Sequence, residues 1–449
     1  MLRRVIAFGF AAVACAANAE EGAPRYRLQV GQELIYEGSS QFQYEHGSHG
    51  TTDRTTLWVT RENGDGSWHV VAHNESAFRQ SFGKDEKLSG PEHKTEAFDA
   101  FDVFPDGRIG GLPEDYRGRH LARLFFKLPA DAAARAGWEV EEEEGDKSVY
   151  RLAPANDPAS GKWVFEKTEK GIMHEVYLSA SQAVIHFDAA RGLVTKVESE
   201  SSQGYGFVGK GAGLTELKSA TLKDSAWIAQ LAQEADALAQ AKAAVRDAYA
   251  SLEEGAKPED ASAAAEKALR DGRQKVKLPV VDAQFEAQLA QLTESVKYFA
   301  ERKKEEEEVL NKAAAQWGTT DLDGKKHALD DYRGKVIVLD FWYRGCGWCI
   351  KAMPQIKQVV DHFRDRPVAV LGMNTDRKEE DARFVTDKVK LNYPTLKAEG
   401  LPEKYKVRGF PTLVVIDQKG VVRALHVGYS PKLREKVIKT IDGLLAADR

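Results

Sequence analysis

Two cysteines stand three residues apart in Cys346-Gly347-Trp348-Cys349, and the chain of 449 residues has only one other, Cys15. A thiolate attacks a disulfide sulfur, and a second thiol one helical turn away then displaces the product and closes the ring. The preceding run Val336-Ile337-Val338-Leu339-Asp340-Phe341 has the length and apolarity of a buried strand, and the segment from Cys346 towards Phe363 reads as a helix with an interruption near Pro354. A cysteine that opens a helix meets unpaired backbone N–H groups and the positive end of the dipole, which lower its pKa. One turn of helix is expected to expose one sulfur and shelter the other. Two quieter readings stand beside this one. An inert structural disulfide would close a four-residue loop and remove little chain entropy. Half of a zinc site would need a second Cys or Cys/His pair, which the sequence does not supply.

Strand, helix and turn patterns divide the chain that carries this pair. Residues 25–217 alternate in strand fashion: Thr56-Leu57-Trp58-Val59-Thr60, a turn at Asn63-Gly64-Asp65-Gly66, then Trp68, Val70 and Ala72. Val184-Ile185-His186-Phe187-Asp188 and Leu193-Val194-Thr195-Lys196-Val197 predict a second hairpin around Gly192, and Pro105-Asp106-Gly107 another turn. Short turns between successive strands favour an antiparallel sheet, an open curved meander or partial barrel. His46 and His49 read as loop residues rather than metal ligands, and the run from Glu141 to Glu144 as a solvated edge.

Residues 224–312 turn to Ala, Glu, Gln and Lys. Ile228, Leu231, Ala235, Leu238, Val245, Tyr249 and Leu252 follow helical spacing, as do Phe285, Leu289, Leu292, Val296, Phe299 and Leu310. Pro258-Glu259-Asp260 starts a shorter helix and Leu278-Pro279 the last long one. A helical hairpin or small bundle is predicted, acting as a spacer or as a homodimer surface. From residue 316 onward strands alternate with helices. Val368-Ala369-Val370-Leu371-Gly372-Met373 is a second apolar strand, Thr412-Leu413-Val414-Val415-Ile416 and residues 421–427 form a hairpin, and a helix covers residues 431–446. That order predicts a mixed sheet with helices on both faces.

Composition limits the partners. The formal charge of −5 removes the electrostatic grip of a nucleic-acid binder. A length of 449 residues suits about three domains. Arg3 and Arg4 precede an apolar run over residues 5–14, and Ala17-Asn18-Ala19 has the small-x-small form of a cleavage site. The run is too short to span roughly 30 Å of hydrocarbon. Export is therefore expected, with residues 1–19 a signal peptide; cleavage removes two arginines and no acid, taking the charge from −5 to −7. Cys15 after Ala12-Val13-Ala14 offers a second reading, a lipid anchor. Either way only the 346/349 pair is left as free thiols, in a compartment that oxidises them.

Beyond the cysteine pair, several separated motifs agree. Leu322-Asp323-Gly324-Lys325, then Tyr332-Arg333-Gly334-Lys335, then Val338-Leu339-Asp340-Phe341-Trp342 lead into the pair; Met353-Pro354 follows it, and Gly409-Phe410-Pro411-Thr412 lies further on. On these residues, 319–449 resembles the thioredoxin superfamily and, within it, the exported TlpA-like thiol–disulfide oxidoreductases. The resemblance implies a thioredoxin-like fold, no metal and no organic cofactor, Cys346 as attacking thiolate and Cys349 as resolving thiol in one redox-active disulfide. It implies a cis Pro411 packed beside that disulfide, with Trp348, Phe410, Pro411 and Thr412 contacting an extended substrate. It makes Asp340 the buried acid, with a raised pKa suited to taking the proton of Cys349.

Three departures mark this chain. Ala352 stands where many TlpA-like reductases carry a buried Glu, Gly372 where thioredoxin has a lysine, and Gly345 where a tryptophan commonly precedes the first cysteine. The implied partners are protein thiols and disulfides and a membrane-linked electron donor or acceptor, in the periplasm. The expected whole is multidomain: a signal peptide over 1–19, an antiparallel β-rich domain over 20–222, a helical spacer over 223–314 and a thioredoxin-like α/β domain over 315–449. The rival reading is an envelope scaffold, in which the β-rich domain holds a partner and the C-terminal fold is accessory; such a protein would tolerate loss of the cysteine pair.

Overall fold

A computed structural model describes residues 23–447 apart from 45–46, 83–89, 113–123, 130–136, 142–146, 155–159, 174–176, 205–208 and 254–256. The leader with Cys15, His46 and Glu142 to Glu144 lie outside the described residues.

Alternating side chains build the first sheet. Its strands are β1 (Gln32–Tyr44), β2 (Gly47–Glu62), β3 (Trp68–Phe82), β4 (Glu92–Val103), β5 (Ile109–Gly110), β6 (Trp138–Glu141), β7 (Lys147–Leu152), β8 (Lys162–Met173), β9 (Tyr177–Asp188), β10 (Leu193–Gly204) and β11 (Gly209–Leu222). They lie in the order β5-β4-β3-β2-β1-β11-β10-β9-β8-β7-β6, every pair antiparallel. Two meanders thus meet where the first strand pairs with the last. Both expected hairpins form, at β2–β3 and β9–β10. Asp65 shapes the first turn, its Oδ1 accepting from the Ser67 N–H at 3.0 Å. His49, expected in a loop, lies in β2, and its ring stacks on Phe42 of β1 at 5.1 Å.

Period-two patterning gives this sheet two apolar faces. Leu57, Val59, Val70, Ala72, Phe101 and Val103 belong to one core. The sheet curls around residues 124–128 on this side. Phe125 meets Phe101 of β4 at 6.0 Å, while Phe126 stacks on Tyr150 of β7 at 5.4 Å, although β4 and β7 lie near opposite ends of the strand order. Gly107, at φ +85°, closes the turn after β4 against this segment; a Cβ there would stand 1.9 Å from the Phe126 carbonyl oxygen.

The intervening residues, Trp58, Val71 and Phe98, face a helical layer. It consists of α1 (Ser225–Glu253), α2 (Pro258–Arg273) and α3 (Pro279–Glu307). Ile228, Leu231, Ala235 and Leu238 are buried in the same core as those sheet residues, and Trp227 contacts Trp58 at 5.7 Å. The apolar stripe read as a spacer or homodimer seam is therefore laid on the sheet, because three-four spacing on α1 and alternation on β2–β4 present matching apolar faces. Leu310, expected in the last helix, lies beyond its end and packs with the third part of the chain. The N-cap of α3, Leu278, has no polar side chain to serve the free N–H groups. Glu234 of α1 does so instead, accepting from the N–H of Lys277 at 2.8 Å and of Leu278 at 3.0 Å.

The third part holds a hairpin, β12 (Gly318–Thr320) and β13 (Lys326–Ala328), then β14 (Val336–Trp342), α4 (Gly347–His362), β15 (Val368–Asn374), α5 (Glu379–Val389), β16 (Thr395–Lys397), α6 (Leu401–Lys404), β17 (Thr412–Ile416), β18 (Val422–Val427) and α7 (Leu433–Ala447). The sheet order is β16-β15-β14-β17-β18; β14 runs parallel to β15 and antiparallel to β17. Central β14 is buried throughout. Its Ile337, Leu339 and Phe341 face Trp317, Leu401 and Tyr405, and its Val336 and Val338 face α4 and α7. Helix α4 continues through Pro354 without the expected interruption. Among the described residues, no helix is long and apolar enough to cross a membrane.

Candidate active site

Strand β14 ends at Trp342, and Tyr343-Arg344-Gly345 carries the chain to Cys346 at the N-cap of α4. This loop is pinned from β15 and α5. Asp376 Oδ2 accepts from the Arg344 N–H at 2.8 Å and from Asn374 Nδ2 at 2.8 Å, while Arg344 Nη1 donates to Asp381 at 2.7 Å. Cys346 has extended backbone, φ −87° and ψ 94°, which turns its side chain over the first turn of the helix. Its Sγ is bonded to that of Cys349 and accepts from the Cys349 N–H at 3.0 Å. After reduction the same N–H and the helix dipole favour charge on Cys346 over Cys349. Both residues are buried in the oxidised pair, Cys346 5% exposed and Cys349 1%, so the expected contrast in access is small. The reason is packing: both sit in an apolar cluster with Trp342, Ile350 and Met353, against which Phe410 is packed.

The other substrate-facing candidates separate into two groups. The Phe410–Pro411 peptide is cis, and Phe410 meets the Tyr343 ring edge-to-face at 5.2 Å. Thr412 is fully buried, and its Oγ1 donates to the Gly409 carbonyl at 2.7 Å. In this position its side chain shapes the proline loop from within. Trp348 is 38% exposed and stacks on Tyr429 at 5.5 Å, with the Lys351 ammonium 5.3 Å from one ring and 4.9 Å from the other. Tyr343, Tyr429 and Lys351 were not singled out from sequence; Tyr429 carries no motif, and only the β17–β18 hairpin brings it here. Arg408, next to the proline loop, forms two bonds to Glu305 of α3, at 3.2 and 2.5 Å, which tie the helical layer to this edge of the site.

Asp340 lies on the face of β14 that α4 covers, and it is 1% exposed. Burial pushes its pKa up to about 7, against the opposing effect of the Tyr393 hydroxyl, which donates to Oδ2 at 2.9 Å. Oδ1 has no hydrogen-bond partner among the described residues. Gly372 stands directly opposite in the β14–β15 register, where a Cβ would come within 3.0 Å of Trp342 Nε1 and 3.1 Å of Thr395 Oγ1. No lysine from β15 compensates the acid; a phenol does. Ala352 is fully buried on α4, so Asp340 is left as the buried acid of this region. Among the described residues, no three His, Cys, Asp or Glu side chains converge on a point.

Comparison with known proteins bears on the same region. Residues 310–425 match the model of the AhpC/TSA family. Thiol-disulfide oxidoreductase ResA of Bacillus thuringiensis subsp. konkukian (strain 97-27) is 30% identical over 141 residues, covering 31% of this chain and 82% of that protein. By this region the chain belongs to the TlpA-like thiol–disulfide oxidoreductases of the thioredoxin superfamily. Thioredoxin-like protein YneN of Bacillus subtilis (strain 168) is 32% identical over 115 residues, 25% of this chain and 67% of its own length. A crystal structure of a putative thiol:disulfide interchange protein DsbE from Chlorobium tepidum is 29% identical, covers 30% of this chain and 97% of its own, and has a TM-score of 0.29. The ResA and family matches place a TlpA-like domain in the last third of the chain, the part that carries the Cys346–Cys349 disulfide.

Proposed function

We propose that this protein is an exported protein-disulfide reductase in which Cys346 attacks, Cys349 resolves and Asp340 takes the proton of the resolving thiol. What carries the proposal is one arrangement: a disulfide at the N-terminus of α4, beside a cis-proline loop, with a carboxyl buried beneath the same helix. In the reduced protein, the Cys346 thiolate attacks one sulfur of a substrate disulfide. A mixed disulfide forms, and the other substrate sulfur leaves with its electron pair and is protonated. Cys349 then passes its proton to Asp340 and attacks Cys346 Sγ. The Cys346–Cys349 bond forms as the bond to substrate breaks, and two electrons have moved from the dithiol to the substrate. An extended peptide beside Pro411 is the substrate class, with the rings of Trp348 and Phe410 on its flanks. Regeneration in the periplasm then requires a membrane-linked electron donor. The composition of residues 1–19 supports export, with cleavage after Ala19 or lipid attachment at Cys15 as its two forms. The names of the relatives support the redox reading over a scaffold with an accessory domain.

Partner capture from the native envelope tests the roles. Cys349→Ser is expected to accumulate mixed disulfides through Cys346, and Cys346→Ser to accumulate none. Equal capture by both variants, or by neither, would contradict the assignment. The direction of electron flow is read separately, from the redox state of the pair in cells: a reductase keeps it reduced, an oxidase oxidised.

A further inference from the structure

The loop between α5 and β16 sends Tyr393 into the interior, next to the strand that carries Asp340. The phenol is 7% exposed, and its hydroxyl donates to Asp340 Oδ2 at 2.9 Å across 53 residues of sequence. Burial and the neighbouring carboxyl hold its own pKa well above the usual value, so it stays a donor throughout the working range. The two oxygens of Asp340 are thereby made unequal, since Oδ1 is buried with no hydrogen bond from the described residues. A carboxylate accepts a proton best on an oxygen whose lone pairs are free.

We infer that Tyr393 is a positioning residue for the resolving step: it holds Oδ2, fixes the carboxylate plane, and leaves Oδ1 as the atom that receives the Cys349 proton. This rests on the reading of Asp340 given above. The other elements packed around the acid offer no competing charge. Strand β15 presents Gly372 and β17 presents Leu413, its partners in register. Helix α4 covers this face of the strand with Ala352 and Ile356, and its Lys357 is turned to the Val389 carbonyl at 2.8 Å. Only burial and Tyr393 act on Asp340. In the step itself the Cys349 S–H bond breaks, Oδ1 gains the proton, the new thiolate bonds to Cys346 Sγ, and the substrate sulfur departs with the electron pair.

The test uses reduced full-length protein mixed with 5,5′-dithiobis(2-nitrobenzoate), whose first thiol release reports attack and whose second reports resolution. Both are followed across pH in the parent, Tyr393→Phe and Asp340→Asn. A hydrogen bond to the charged form favours that form, so losing it is expected to move the midpoint of the second phase upward by about one pH unit. Near neutral pH resolution slows several-fold while the first phase is unchanged. Incorporating 3-fluorotyrosine at 393 keeps ring and hydroxyl but strengthens the donor, and is expected to move the midpoint downward. It also serves if the phenylalanine variant folds poorly. An unmoved midpoint in both substituted proteins overturns the positioning role. If Asp340→Asn leaves the second phase unchanged, the proton-acceptor reading falls first and takes this inference with it.

Discussion

At the scale of single residues, the acid in β14 fixes both chemistry and stability. Its pKa is about 7 in the folded protein, against 3.8 for the ordinary carboxyl. The folded form therefore binds the proton more tightly than the unfolded chain. The resulting stability is fully present below about pH 4 and is lost as pH rises through about 7. The rise corresponds to about 4 kcal/mol. Asp340→Asn is expected to abolish this dependence, stabilising the oxidised protein by about 2–4 kcal/mol near pH 8 and by little near pH 4. Denaturant unfolding at the two pH values measures it; equal gains at both would show that the carboxyl is not buried as a charge. The cysteine pair and Asp340 were legible in the sequence because spacing and a single polar residue in an apolar strand are local signals, whereas Pro411 was legible only through the family resemblance of Gly409-Phe410-Pro411-Thr412. Tyr393 was not. Its partner lies across a sheet pairing, and a tyrosine before Pro394 in a loop carries no mark of the contact it makes.

At the scale of elements, prolines announced where α2 and α3 begin, but not what completes them. The N-terminus of α3 depends on Glu234, 44 residues upstream in α1, which accepts two backbone N–H groups while itself buried. Glu234→Ala leaves those donors unpaired and is expected to cost about 2–4 kcal/mol, read as a fall in the denaturation midpoint of the helical layer. A loss within about 0.5 kcal/mol would mean that other groups serve the helix start. The same limit of local reading explains the spacer expectation. Helical periodicity shows that α1 has an apolar stripe; it does not show which surface the stripe meets, and Trp58, Val71 and Phe98 alternate in strand fashion as if for a two-sided sheet of any kind.

At the scale of the whole molecule, the sheet and α1–α3 share one core, whereas the TlpA-like domain joins them through the chain itself and a few contacts. These include the Asn311 N–H to the Val422 carbonyl at 2.8 Å, Glu305 with Arg408, and Glu308 with Lys406. Calorimetry is expected to show two transitions. Trp58→Ala, which removes a buried ring from the shared core, should lower one by about 3–5 kcal/mol, and Asp340→Asn should move only the other. A single transition shifted by both substitutions would show that the parts unfold together. One pairing in the larger sheet also sets a timetable. Gln32 of β1 lies opposite Leu222 of β11, 190 positions later. The hairpins on either side can close locally, but the central seam waits for the far strand, and closing so long a loop is entropically slow. While the domain folds, β1 thus stands with one hydrogen-bonding edge unmated until β11 arrives, and that edge is where a holding chaperone would have its effect.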